Sequence, residues 1–106
     1  MALAQDGGFG RLLALGWLER AKASLKAGAP GKARDLLWKS EREAAAVDAH
    51  DILFLAYFYL LKSAEALGDD SQHSYRKCLS LKSLQEGRFR ELAEFEALQR
   101  AREAVS

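Results

Sequence analysis

From Arg11 onward the chain sets apolar residues three to four apart: Leu12, Leu15, Leu18 and Leu25, with Ala14, Ala21 and Trp17 beside them and Arg20, Lys22 and Lys26 on the flanks. This is the one-sided stripe of an amphipathic helix, and Gly28 with Ala29-Pro30-Gly31 ends it near Ala27. A second helix opens at Pro30 or Gly31, because the fixed φ of proline suits a first turn. Its inner face is Ala33, Leu36, Leu37, Ser40 and Ala44; Lys32, Arg34, Asp35, Lys39, Arg42 and Glu43 lie opposite, with Trp38 on the border. Asp48, followed by Asp51, reads as an N-cap with an acidic first turn, so a third helix starts near Ala49. It contains an unbroken apolar and aromatic run from Ile52 to Leu61 and stops at Gly68. A helix that is apolar on all sides has to be enclosed on all sides, which makes this one the central element. Asp69-Asp70-Ser71 terminates it and re-caps a fourth helix, with Tyr75, Cys78, Leu79 and Leu81 inward and an end at Glu86-Gly87. A fifth helix, Arg88 to Ala104, carries Phe89, Leu92, Phe95, Leu98 and Ala101. Loops this short join antiparallel neighbours. Residues 1–10 are Gly-rich and unpatterned, and are expected to form a flexible tail ahead of a single domain over residues 11–106.

Composition agrees with an all-α fold. Nineteen Ala and eighteen Leu stand against two Val, one Ile and no Thr, so the residues that favour strands are nearly missing. Sixteen Lys and Arg against fifteen Asp and Glu leave a net charge of +1 with no basic block, which argues against nucleic acid as a partner. The apolar run at Ile52–Leu61 is about half the length of a membrane span, so a membrane role is not expected. The beginning of the chain lacks the basic end and apolar stretch of a secretory signal. Cys78 is the single cysteine, so no internal disulfide forms, and a reducing, cytoplasmic setting fits best.

The chain repeats itself. At an offset of 40 residues Leu13 meets Leu53, Leu15 meets Leu55, Trp17 meets Tyr57, Lys22 meets Lys62 and Gly28 meets Gly68. Within the first copy, Trp17, Gly28, Ala33, Leu37 and Ser40 form a ladder of aromatic, glycine, small, large apolar and small residues. Tyr57, Leu60, Ala64 and Gly68 follow the same ladder in the second, and Ser74 and Cys78 join it if the turn at Asp69–Ser71 is one residue longer. From Ala14 to Leu84 this pattern resembles the tetratricopeptide repeat, although that family's period is about 34 residues and Arg20 stands where a Leu is usual. The resemblance implies two helix hairpins, over residues 11–46 and 49–86, followed by a capping helix over 88–104. It also implies that the first helix of each hairpin lines a concave, partner-binding face. Leu18, Lys22, Leu25 and Lys26 would point there from the first copy, and Phe58, Lys62 and Glu65 from the second. Lys22 and Lys62 occupy equivalent positions, and two ammonium groups facing one groove suit an acidic peptide or a C-terminal carboxylate.

Residues suited to catalysis are scarce. Gly28-Ala29-Pro30-Gly31-Lys32 lacks the spacing of a phosphate-binding loop, and Ala33 stands where the magnesium-binding hydroxyl is needed. Asp48, His50 and Asp51 are read as helix capping and not as metal ligands. His73 and Cys78, five residues apart on one helix, point about 140 degrees apart and cannot act as base and nucleophile, so Cys78 is read as a buried structural thiol. No cofactor, metal or small-molecule substrate is expected. The reading is a non-catalytic protein-binding module of five helices. One alternative is a closed, self-associating bundle that pairs into a homodimer through Tyr59 or Phe54. The other is a small helical enzyme acting on nucleic acid through His50, His73 and Arg42.

Overall fold

A computed structural model describes residues 7–105, and within them the fold is all-α: α1 (Gly7–Lys26), α2 (Pro30–Ala46), α3 (His50–Leu67), α4 (Gln72–Lys82) and α5 (Arg90–Val105). Successive helices from α1 to α4 pack as neighbours; α1 also touches α3, and α3 touches α5. Two hairpins, α1–α2 and α3–α4, therefore stand side by side, and α5 packs against α3. The described residues measure 52 × 30 × 21 Å.

Each of the first three helices ends in the same turn. At Gly28 the backbone enters the left-handed region, its N–H reaches the carbonyl of Leu25, and the next N–H, of Ala29, reaches Ser24. Gly68 and Asp69 repeat this against Glu65 and Ala64, and Asp48 and Ala49 repeat it against Ala45 and Ala44. These are Schellman turns, which satisfy the carbonyls left over at a helix end. They recur every twenty residues, at 28, 48 and 68, so each hairpin period contains two equivalent stops. Asp48 is thus not the N-cap of α3. It is the left-handed residue after α2, with φ +52°, and the N-cap position belongs to Ala49.

The core is a line of close contacts between small residues and a cluster of rings. Ala14, Ala21, Ala33 and Ala44 are wholly buried, which lets α1 and α2 approach closely, and the buried hydroxyl of Ser40 donates to the Ala14 carbonyl at 2.8 Å. As expected, α3 is the central element, with nine buried residues from Ile52 to Ala64. Phe54, in its second turn, lies 5.7 Å from the ring of Phe95 and 5.8 Å from that of Phe89, both edge-on. Tyr75 of α4 completes the cluster 5.4 Å from Phe95. α5 is anchored through Phe95 and Leu92, both buried. Its start is tied by Tyr59, whose hydroxyl donates to Glu91 at 2.6 Å, and its end by Arg102 over the Tyr75 ring at 4.2 Å.

Three sequence expectations shift. Gly7–Gly10 belongs to α1 and not to a tail: a Cβ on Gly10 would sit 2.8 Å from Cγ1 of Val47, so this glycine permits close packing on the end of α2. The rest of the expected tail, residues 1–6, lies outside the described residues. α4 ends at Lys82, before Glu86, and buries Ser74 with Tyr75 and Cys78 while Leu79 is exposed. Ser74 and Cys78 thereby occupy the inner positions that Ala33 and Leu37 fill in the first hairpin. Ala101 faces outward on α5.

Candidate binding groove

The first helices of the two hairpins and the start of α5 enclose a groove of about 700 Å³, lined by Glu19, Lys22, Ala23, Leu25 and Lys26 of α1, Tyr59 and Lys62 of α3, and Arg90 of α5. Helix periodicity explains the α1 set, since residues 19, 22, 23 and 26 share one side of a 3.6-residue turn. The α1–α3 contact sets Lys22 against Tyr59, with its ammonium nitrogen 5.8 Å from the ring centre. Lys22 also reaches Glu19 at 3.3 Å. Lys62 pairs with Glu94 at 3.3 Å and lies over Phe58. Arg90 reaches Glu91 at 3.3 Å and Glu94 at 3.9 Å. Lys26, in the last turn of α1, has no ion-pair partner among the described residues.

Four cations thus meet in one groove, and most of their acidic partners are exposed and exchangeable. Glu91 is the exception. Burial works against its charge, but the hydroxyl of Tyr59, with Arg90 beside it, outweighs burial and holds its carboxyl below the ordinary range. Burial first, then Glu91, pushes Tyr59 up to about 12. Arg90 lines the groove beside this pair, so an incoming group meets donors from α1, α3 and α5. Such a set can receive carboxylates through charge-assisted hydrogen bonds.

Of the residues expected on the binding face, Lys22, Lys26 and Lys62 line the groove together. Leu18 and Phe58 do not: at 1 % and 2 % exposure they belong to the core. Both lie on helices flanked on more than one side, so a residue on the groove side of its own helix is covered by the neighbour. Arg90 was not foreseen. The repeat offset does not point to it, since 40 residues beyond Lys62 lies Arg102. No family model, curated protein or solved structure matches the chain.

The remaining chemistry-bearing residues are dispersed. His50 lines a second cavity, of about 450 Å³, with Asp51, Leu84, Gln85, Glu86 and Phe89. Asp51 there is engaged by Arg11 of α1 through two hydrogen bonds, at 2.6 and 3.0 Å, and this contact holds its carboxyl below the ordinary range. His73 lies elsewhere, its ring 6.0 Å from Tyr57 and 6.4 Å from Trp38. Arg42 is exposed on α2 and touches neither histidine. Cys78 is buried beneath Phe54, and burial pushes its thiol up to about 12. Among the described residues no group of three or more His, Cys, Asp or Glu is placed to hold a metal ion, and no helix is long and apolar enough to cross a membrane. Phe54, offered as a surface residue for homodimer formation, is wholly buried.

Proposed function

We propose that the protein is a tetratricopeptide-like adaptor that binds an acidic segment or C-terminal carboxylate of another protein in the groove between α1, α3 and α5. The observation that carries this reading is the convergence of Lys22, Lys26, Lys62 and Arg90 from three successive first helices on one groove. In this reading Lys22 and Lys62, 40 residues apart in sequence and equivalent in the stack, hold neighbouring carboxylates of an extended ligand. Tyr59 and Leu25 supply apolar floor between them. The activity is recognition and not catalysis, it needs no cofactor, and its setting is the cytoplasm.

The test is a titration with a fluorescein-labelled hexapeptide of Asp and Glu with a free C-terminus. Saturable binding that weakens with salt, and that is lost in Lys22→Glu/Lys62→Glu, supports the reading, because exposed charge contacts are screened. Far-UV circular dichroism checks that the double variant keeps its helices. Affinity unchanged by the double substitution, or no binding at low salt, overturns it.

A further inference from the structure

The 40-residue offset lays Leu12 on Ile52, Leu13 on Leu53, Gly16 on Ala56, Trp17 on Tyr57 and Arg20 on Leu60. On α3 this is the side that rests on the preceding hairpin. Ile52, Ala56 and Leu60 are closed off there, and Tyr57 stands edge-on to Trp38 of α2 at 6.1 Å while its hydroxyl donates to Glu41 of α2 at 2.8 Å. Among the described residues nothing covers the same side of α1. Leu12 is 68 % exposed and Phe9 63 %, and a shallow cleft of about 260 Å³ lies among Leu12, Leu13, Gly16, Trp17 and Arg20. A Cβ on Gly16 would meet nothing within 4 Å, so another backbone has room to come close.

The two faces differ in charge. Arg20 replaces Leu60, and its guanidinium stands 5.0 Å from the Trp17 ring centre; Lys39 of α2 reaches the same ring at 4.7 Å. Neither cation has an acidic partner among the described residues. We propose that this face docks an amphipathic α-helix of a partner protein that carries a carboxylate beside its apolar stripe. The stripe packs between Leu12 and Gly16 as α2 packs on Ile52 and Ala56. The carboxylate takes the place beside Trp17 that Glu41 has beside Tyr57, where Arg20 and Lys39 can both donate to it. A second copy of the chain offers this face the wrong charge, because two-fold pairing brings together cations and no anion.

The probe is a hydrocarbon-stapled, fluorescein-labelled peptide carrying residues 30–46, the helix that covers the equivalent side of α3. Titrated with the full chain and read by fluorescence anisotropy, it is expected to bind saturably. Leu12→Asp, at a position exposed enough to leave the fold intact, is expected to weaken binding by at least about tenfold. Glu41→Gln in the peptide weakens it less and flattens its salt dependence. Lys22→Glu/Lys62→Glu leaves it unchanged, which separates this face from the groove. No saturable binding, or binding indifferent to Leu12→Asp, overturns the assignment. So does a solution mass that rises with concentration and reverts to the monomer in Leu12→Asp, since the occupant is then a second copy.

Discussion

Asp48 is the one place where the recurring helix stop is filled by a residue other than glycine, and replacing it isolates the energy of a single backbone conformation. Its φ of +52° matches the positions that Gly28 and Gly68 hold at +80° and +75°. A left-handed L-residue costs about 1–2 kcal/mol, with Asp toward the lower end because its short polar chain tolerates the region. Glycine returns about 0.5 kcal/mol of this through its greater freedom in the unfolded chain. Asp48→Gly is therefore expected to stabilise the protein by about 0.5–1 kcal/mol, raising the melting temperature by about 2–6 °C for a domain of this size. The Asp48 side chain makes no hydrogen bond or ion pair among the described residues, so little else is lost. Asp48→Asn, which keeps the shape and removes the charge, should move the midpoint much less. In the opposite direction, Gly28→Ala and Gly68→Ala place a methyl where nothing lies within 4 Å, so their loss of about 1 kcal/mol comes from the backbone alone. Thermal and urea unfolding followed by circular dichroism measures all four variants. An Asp48→Gly protein less stable than the parent, or a Gly28→Ala protein as stable, would falsify the shared-turn account.

Three further outcomes follow from the packing. Ser40→Ala should cost about 0.5–1.5 kcal/mol in urea unfolding, because the buried hydroxyl that joins α2 to the Ala14 carbonyl is lost; an unchanged midpoint would mean that this seam is held by its alanines alone. Asp51 is held down by Arg11, so its contribution is present above the unfolded carboxylate value of about 3.9 and is lost as pH falls through the lower folded value. Since both partners are about half exposed, the pair is worth no more than about 1 kcal/mol, and Arg11→Ala should remove that part of the acid sensitivity below about pH 4. Cys78, buried with its thiol raised, should resist a disulfide reagent at neutral pH until urea unfolds the chain; rapid labelling of the native protein would place α4 away from α3.

How much of this was legible depended on whether a residue's role is local. The apolar run of α3 identified the central helix, and Gly28 and Gly68 marked their turns, because an all-apolar helix and a left-handed glycine each carry their meaning alone. Asp48 was misread because aspartate serves both as an N-cap and as a tolerated left-handed residue, and only its hydrogen bonds decide between them. Gly7, Gly8 and Gly10 looked like a tail because glycine lowers helix propensity; Gly10 is needed against Val47, a contact 37 residues away in sequence. Leu18 and Phe58 failed for a related reason. A helical stripe tells which side is apolar, and the packing of a third helix tells whether that side is a groove or a core. The lysines were the legible part of the site, since an ammonium group at a stripe's edge stays in solvent wherever its neighbours lie. Arg90 required knowing that the start of α5 comes to lie beside Tyr59 and Lys62.

The central claim, that the row of first helices forms the recognition surface, is tested most directly by mapping amide chemical shifts during titration with the acidic hexapeptide. Shifts confined to Lys22, Lys26, Tyr59, Lys62, Arg90 and their neighbours are the expected result. Shifts centred on His50 and Gln85, or on Trp38 and His73 across α2 and α4, with the lysine groove silent, would contradict it.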